Sequence, residues 1–413
     1  MCVVWPDDQD FLASGFTRGV LQGEEPDAMK KLTSAVEIAR ELIGIDSQNP
    51  TSSEEKMAAY VTGLLSQWKI PFQVDEVAPG RPNVIATIRG DEQKPGILLL
   101  AHMDTVPVGE GWTKDPFGAE IDSSGRLFGR GSADMKGGLA ALLWAIKTLQ
   151  ESGSKPRNDV TLCATVDEEG PDMLGISRLA EQDIVDESSL VVAPEPSELK
   201  IVRAHKGVMW YEITTTGRAS HGGYGDLGID ANHALACVVG QIKTAVSSLP
   251  YDHPLVGRPM VTVGKMAGGS KTNVVPDSAR AEVDFRACPP LGVEDCDKLI
   301  RLAAESAILQ VPGAKVAVRK FGLSRPYVET PQNAPVIVRL ASAHKRVVGE
   351  DVDMTGYVAY TDAGILNLFG KNKNSIVYGP GKLTLGHTID EYIHVSEIEK
   401  AADVFLDFMS GEN

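Results

Sequence analysis

Long apolar runs, cysteine and positive charge are all scarce in this chain, and each scarcity removes a class of protein. No apolar stretch approaches the ~18–20 residues that a helix needs to cross a bilayer, so no transmembrane span is expected. The five cysteines, Cys2, Cys163, Cys237, Cys288 and Cys296, are dispersed, odd in number and contain no C-x-x-C pair. A disulfide framework is therefore not expected, and a reducing cytoplasm fits. Met1 to Glu25 lacks a basic segment followed by an apolar core, so no secretory leader is expected either. Lys and Arg total 40 against 56 Asp and Glu, a formal net charge of −16. Such a chain repels phosphate backbones and anionic lipid, which sets aside nucleic acid and membrane surfaces as partners. A small anionic substrate stays admissible, because a few local cations outweigh a distant field within a Debye length.

What is present is enough for a large domain and a smaller one: 413 residues, 43% of them hydrophobic. The first thirty residues show no strong period and read as an extension. Leu32, Val36, Ala39 and Ile43 then share one face of a helix that Asn49-Pro50 interrupts. Ser52-x-x-Glu55 has the form of a capping box for a second helix carrying Met57, Tyr60, Val61, Leu64 and Trp68. Apolar runs at 83–88, 96–101, 160–166 and 190–192 read as strands, and Leu139, Leu142, Leu143, Ile146 and Leu149 lie at helical spacing between them. Apolar strands alternating with amphipathic helices predict an α/β domain on a mostly parallel sheet.

Near Gly207 the pattern changes. Strand (209–216), helix (230–247), strand (259–266), strand (278–286), helix (294–309) and strand (314–321) make a βαββαβ series, the order of a ferredoxin-like unit. Afterwards α/β signals resume with a helix at 334–348, a strand at 375–378 and a last helix capped by Ser396-x-x-Glu399. The expected domains are 1–206 plus 323–413, with 207–322 inserted as a separate unit.

Polar residues recur at strand ends. The run Leu98-Leu99-Leu100-Ala101 ends in His102-Met103-Asp104; in extended backbone His102 and Asp104 share a face, so Asp104 can fix the imidazole of a metal-binding His102. Asp134 precedes the Leu139 helix, Glu168-Glu169 follow the 160–166 strand, Glu195 follows the 190–192 strand, and His387 follows the 375–378 strand. In open α/β sheets the carboxyl ends of the strands form the ligand crevice. Singly, each residue has an ordinary use: Asp134 as a helix cap, Glu168-Glu169 as a solvated pair, Glu195 in a turn. Together, four carboxylates in one crevice repel one another unless cations offset them. Two His and three carboxylates suit two zinc ions, one carboxylate bridging, with the remaining carboxylate free as a base for a water acidified by the metals.

The motifs LLLAHMDTVPVG, GRGSADMKGG, TVDEEG, APEPS, GRASH, TNVVPD with VDFR, and GPGKLTLGH with DEY resemble those of the di-zinc metallopeptidase family of acetylornithine deacetylase, succinyl-diaminopimelate desuccinylase and carboxypeptidase G. The resemblance covers nearly the whole chain after residue 30. It implies that His102 and Glu195 bind one zinc, that Glu169 and His387 bind the other, and that Asp134 bridges them through a residue whose following peptide bond is cis. It further implies that Glu168 is the general base and Asp104 the partner of His102, and that cobalt substitutes for zinc. The inserted unit resembles the family's lid and dimerisation domain. There His221 is expected to reach the partner subunit's active site in a homodimer, and Asn273 and Arg286 to grip a substrate carboxylate. Gly225 and Gly386 depart from the common Pro and Ala of the family. The expected activity is hydrolysis of the amide of a small N-acyl amino acid, with a dipeptidase or carboxypeptidase using the same site as the alternative.

Overall fold

The computed structural model describes residues 32–91, 96–182, 186–368 and 372–411. The N-terminal extension and Cys2 lie outside the described residues. The chain divides into two compact units: Met1–Val202 with Thr330–Met354 and Thr361–Asn413, and Arg203–Glu329 with Thr355–Tyr360.

In the first unit the apolar runs pair into one twisted sheet. Its order is Phe72–Ala78, Arg81–Ile88, Val160–Thr165, Ile97–His102, Leu190–Ala193 and Ser375–Val377. The central pairings, from Val160–Thr165 through to Ser375–Val377, are parallel. The margin formed by Phe72–Ala78 and Arg81–Ile88 is antiparallel, so the sheet is mixed, with its parallel part in the middle. Every residue of Ile97–His102 is buried, as a strand covered on both faces requires. The helix Gly137–Ser152 is apolar nearly all round, because it is sandwiched between the sheet and the helices Ala35–Ile43 and Val395–Ser410.

The predicted capping boxes do not form. The second helix runs Glu55–Gln67 with Glu54 at its N-cap and no side-chain cap. Ser52 instead donates to the Asp46 carbonyl at 3.4 Å, and Glu54 turns inward. The last helix begins at Val395, one residue before Ser396, and Glu397 accepts the Gly381 N–H at 2.7 Å. In both cases the helix starts at a different residue from the predicted one, so the serine is not at the N-cap and its partner glutamate is not at the third helical position. The first helix buries Ala35, Ile38, Ala39, Leu42 and Ile43, a stripe rotated from the predicted one, with Val36 only partly covered.

The second unit is a four-stranded antiparallel sheet in the order Met260–Gly268, Ser278–Ala287, Gly207–Thr216, Lys315–Arg325. The helices Ala231–Ser247 and Val293–Ile308 cover one face. That is the predicted βαββαβ unit in its ferredoxin-like strand order. Burial alternates along the strands: Met209, Tyr211, Ile213 and Thr215 face the helices, while Glu212, Arg280, Glu282 and Arg319 lie on the other face in an ion-pair ladder.

Phe405 is fully buried in the first unit's core and meets Tyr378 edge-on at 5.9 Å. Phe405→Ala is expected to lower stability by about 3–5 kcal/mol through lost burial and a residual cavity. Leu309→Ala, at a side chain 78% exposed, should change it by less than about 0.5 kcal/mol. Urea denaturation of the two variants checks the contrast.

Candidate metal centre

The parallel strands deliver their polar residues to one edge. His102 is the last residue of its strand and pairs in register with Thr165. Two residues beyond Thr165 the chain turns through Asp167, whose φ of 63° is left-handed, and presents Glu168 and Glu169. Glu195 follows Leu190–Ala193, and His387 follows Ser375–Val377 with φ 63°. Asp134 sits in the turn 132–136 that opens the Gly137–Ser152 helix, and its peptide to Met135 is cis.

Asp134 stands between two groups of ligands. Its Oδ1 lies 3.3 Å from His102 Nε2, which is 3.8 Å from Glu195 Oε1. Its Oδ2 lies 3.4 Å from His387 Nε2, which is 2.9 Å from Glu169 Oε1. In each group the potential ligand atoms lie within 4.8 Å of one another, and Glu168 shares a third such group with His102 and Glu169. Two sets of one imidazole and two carboxylates, sharing a carboxylate, form a donor set suited to a pair of borderline divalent cations.

The second layer is built from main chain as well as side chains. His102 Nδ1 donates to the backbone carbonyl of Asp104 at 2.9 Å, while the Asp104 carboxylate lies 3.6 Å away. That carboxylate accepts instead the N–H groups of Glu168 and Glu169, both at 3.1 Å. Asp104 therefore holds the imidazole and the acidic pair at once. Two glycines permit close approach on the other side: a Cβ on Gly138 would meet the Pro194 carbonyl oxygen at 2.1 Å, and one on Gly379 would meet it at 2.2 Å.

The electrostatics report an excess of negative charge. Burial opposes charge on His102, yet Asp104, Asp134, Glu195 and Glu168 together hold its pKa well above the usual range. Asp134 and Glu169 push His387 up to about 11. Burial, with neighbouring carboxylates, raises Glu168, Glu169 and Glu195. Asp134 is the exception: burial would raise it, but the two imidazoles hold it well below the carboxylate range. A cluster whose carboxylates raise both imidazoles, and in which burial raises three of its acids, is short of positive charge.

A family model, "Peptidase family M20/M25/M40", matches residues 98–411. The chain belongs to this family. Members are hydrolases of C–N bonds, and so is this chain. Among similar proteins, a probable succinyl-diaminopimelate desuccinylase of Staphylococcus epidermidis is 28% identical, covering 91% of this chain and 97% of its own length. An acetylornithine deacetylase of Aliivibrio fischeri is also 28% identical, over 90% of this chain and 96% of that protein. A tripeptidase structure from Staphylococcus aureus superposes with a TM-score of 0.76 at 22% identity, covering 91% and 97% of the two chains. A dinuclear metal-binding peptidase of the same family from Bacillus subtilis gives 0.65 at 17%, covering 91% and 96%. The likeness to these structures concerns the fold.

Within this family member, several buried polar residues escaped the sequence reading. Glu391 accepts the N–H groups of Ala133 and Asp134 at 2.9 and 3.1 Å and pairs with Arg130 at 2.6 Å. Asn49, Arg81 and Glu54 surround Asp104 and Asp167. Only the pairing of acidic and basic groups in otherwise apolar segments could have signalled them.

The remaining expected site residues lie in the second unit. His221 is exposed; its Nδ1 accepts the Gly223 N–H at 3.1 Å and its ring lies near Tyr224. Asn273 is its neighbour, since the Asn273 carbonyl accepts the Gly222 N–H at 2.8 Å. Arg286 is held by Asp284 at 2.9 Å. It sits near the far end of the strand Ser278–Ala287, whose near end follows the Asn273 turn. Eight residues of strand span about 26 Å, which sets Arg286 well along the strand from the Asn273 turn.

With His387 protonated up to about pH 11 in the cation-free protein, a cation binding its nitrogen must displace that proton. Titration with zinc or cobalt near pH 7.5 should therefore release about one proton or more per chain, and affinity should rise with pH. Calorimetry in two buffers of different ionisation enthalpy reads the release; identical heats in both would contradict it.

Proposed function

We propose that this chain removes the acyl group from a small N-acyl amino acid by metal-assisted amide hydrolysis. The observation that carries the reading is the Asp134 carboxylate, with one oxygen toward His102 and Glu195 and the other toward His387 and Glu169. His102 and Glu195 would hold one divalent cation, Glu169 and His387 the other, and Asp134 both. Two zinc ions, or cobalt in their place, would supply a Lewis acid for the amide carbonyl and acidify a water toward a pKa of about 7.

The chain's own residues do the rest. Glu168 lies beside both sets and is fixed through its N–H to Asp104. Burial and the adjacent Glu169 keep its pKa well above the carboxylate range despite the opposing His102. Bound cations would favour its ionised form, which can take a proton from the attacking water and pass it to the departing nitrogen, the two transfers that amide cleavage needs. Asp104 orients His102 and the Glu168-Glu169 backbone together.

For the substrate, Arg286 offers a planar fork suited to a carboxylate once Asp284 shares it, and Asn273 offers an amide. His221, exposed at a turn, suits stabilisation of the developing oxyanion. The length of strand between Asn273 and Arg286 favours a homodimer in which different copies supply them. Free thiols at Cys163, Cys237, Cys288 and Cys296 fit a cytoplasmic setting. Relatives at 28% identity are named as a desuccinylase and a deacetylase, which favours deacylation over peptide cleavage.

Glu168→Gln should keep both cations, read from the cobalt absorption spectrum, and lower kcat by about 10²–10⁴; retained turnover would remove Glu168 from its role. A panel of N-acetyl and N-succinyl amino acids and dipeptides, run with zinc and with cobalt, should show turnover of the acyl compounds. Turnover confined to dipeptides would replace the deacylase reading with a dipeptidase.

A further inference from the structure

Asn49 lies outside every motif discussed so far, yet it sits where the two halves of the metal centre are joined. Its side-chain amide has two N–H groups and uses both. One donates to Asp104 Oδ2 at 2.9 Å and the other to Asp167 Oδ1 at 2.8 Å. Its own oxygen accepts from Arg81 Nη2 at 3.2 Å, and its backbone N–H donates to the Thr105 carbonyl at 2.8 Å. Rotating the amide by half a turn would set its oxygen against two carboxylates and its NH₂ against a guanidinium, so the orientation is fixed.

The two carboxylates it joins belong to different segments. Asp104 carries His102 through its carbonyl and the Glu168 and Glu169 amides through its carboxylate. Asp167 opens the loop that bears those two glutamates. Its φ is left-handed, and its carboxylate is also held by Arg81 at 3.3 Å and by the Leu174 N–H at 3.3 Å. Glu54 closes the network, accepting from Arg81 at 2.7 Å and from the Asp167 N–H at 3.2 Å. Asp104, Glu54 and Asp167 are all buried. Three acidic groups under one loop need donors between them, and Asn49 is the neutral donor that touches both Asp104 and Asp167.

We propose that Asn49 is a positioning residue for the metal centre: by donating to Asp104 and Asp167 at once, it sets the Glu168-Glu169 loop in register with His102. Arg81 supports it by fixing the amide's orientation and screening Asp167. The inference rests on the two-cation reading of the site. Without the Asn49 donors the two carboxylates repel, the loop shifts away from the His102 strand, and Glu169 and Glu168 leave the places a cation and a water require. Displacements of about 1 Å at such sites cost on the order of a hundredfold in rate.

Asn49→Asp keeps the shape and removes both donors, so it separates donation from packing. Cobalt affinity by chelator competition, ions bound per chain, thermal unfolding of the metal-free protein, and kcat and KM on an accepted N-acyl substrate are measured on the full chain. Expected is an affinity weaker by about 10–100-fold and a kcat lower by about 10-fold or more, with KM changed less than about 3-fold. Affinity and kcat both within about 2-fold of the unaltered chain, whatever the thermal shift, would overturn the proposal. If Asn49→Asp does not fold, Arg81→Lys, which keeps the charge and loses the planar fork, takes its place. It should weaken cobalt about 3–10-fold, and unchanged affinity overturns the proposal. The unaltered chain is the control: if it binds no cobalt, the two-cation reading fails with this one, whereas normal binding in both chains removes only the role of Asn49.

Discussion

Mutual repulsion among buried carboxylates is the constraint around which the first unit is arranged. Asp104, Asp134, Glu195 and, one layer out, Glu54, Asp167 and Glu391 are all removed from water at one edge of the sheet. Each ion so placed costs several kcal/mol unless partners replace its hydration. The fold meets that demand in layers. Outermost from the crevice, Arg130 and Arg81 supply fixed positive charge. Between lie main-chain N–H groups, those of Ala133, Asp134, Asp167, Glu168 and Glu169, each aimed at a carboxylate. At the centre His102 and His387 face Asp134, Glu169 and Glu195. That innermost deficit is what divalent cations would offset.

The constraint also explains the division between rigid and adaptable parts. The residues that meet at the centre come from the ends of parallel strands and from a turn clamped by Glu391, all on elements packed against the largest core. His221, Asn273 and Arg286 ride on a unit with a core of its own, and their surroundings are exposed or only partly covered.

Much of this was legible in the sequence because two signals coincided. Apolar runs fixed where strands end, and a His or an acid at or beyond each end marked His102, Glu169, Glu195 and, after a longer loop, His387 as members of one crevice. The βαββαβ series was equally plain, since its apolar runs and helical periods follow one another in that order, and Tyr211, Ile213 and Thr215 are buried between less covered neighbours. The parallel middle of the sheet was legible, but its antiparallel margin was not. Phe72–Ala78 is half-buried along most of its length and carries no apolar run, so the antiparallel margin left no trace. Nor were the supporting residues. Asn49 reads as a helix breaker before Pro50, and Ser52-x-x-Glu55 reads as a cap. Glu54, Arg81 and Glu391 find their partners only through chain separations of 27 to 261 residues. Local pattern encodes which face of an element is apolar; it does not encode which buried acid needs which distant donor.

The crowding at Pro194 bears on how such a catalyst can change over generations. Gly138 and Gly379 press on the same carbonyl from two sides, and the obstacle is main chain rather than a side chain that could swing aside. Neither position can therefore explore other amino acids one step at a time, and the backbone that suspends Glu195 is frozen against drift.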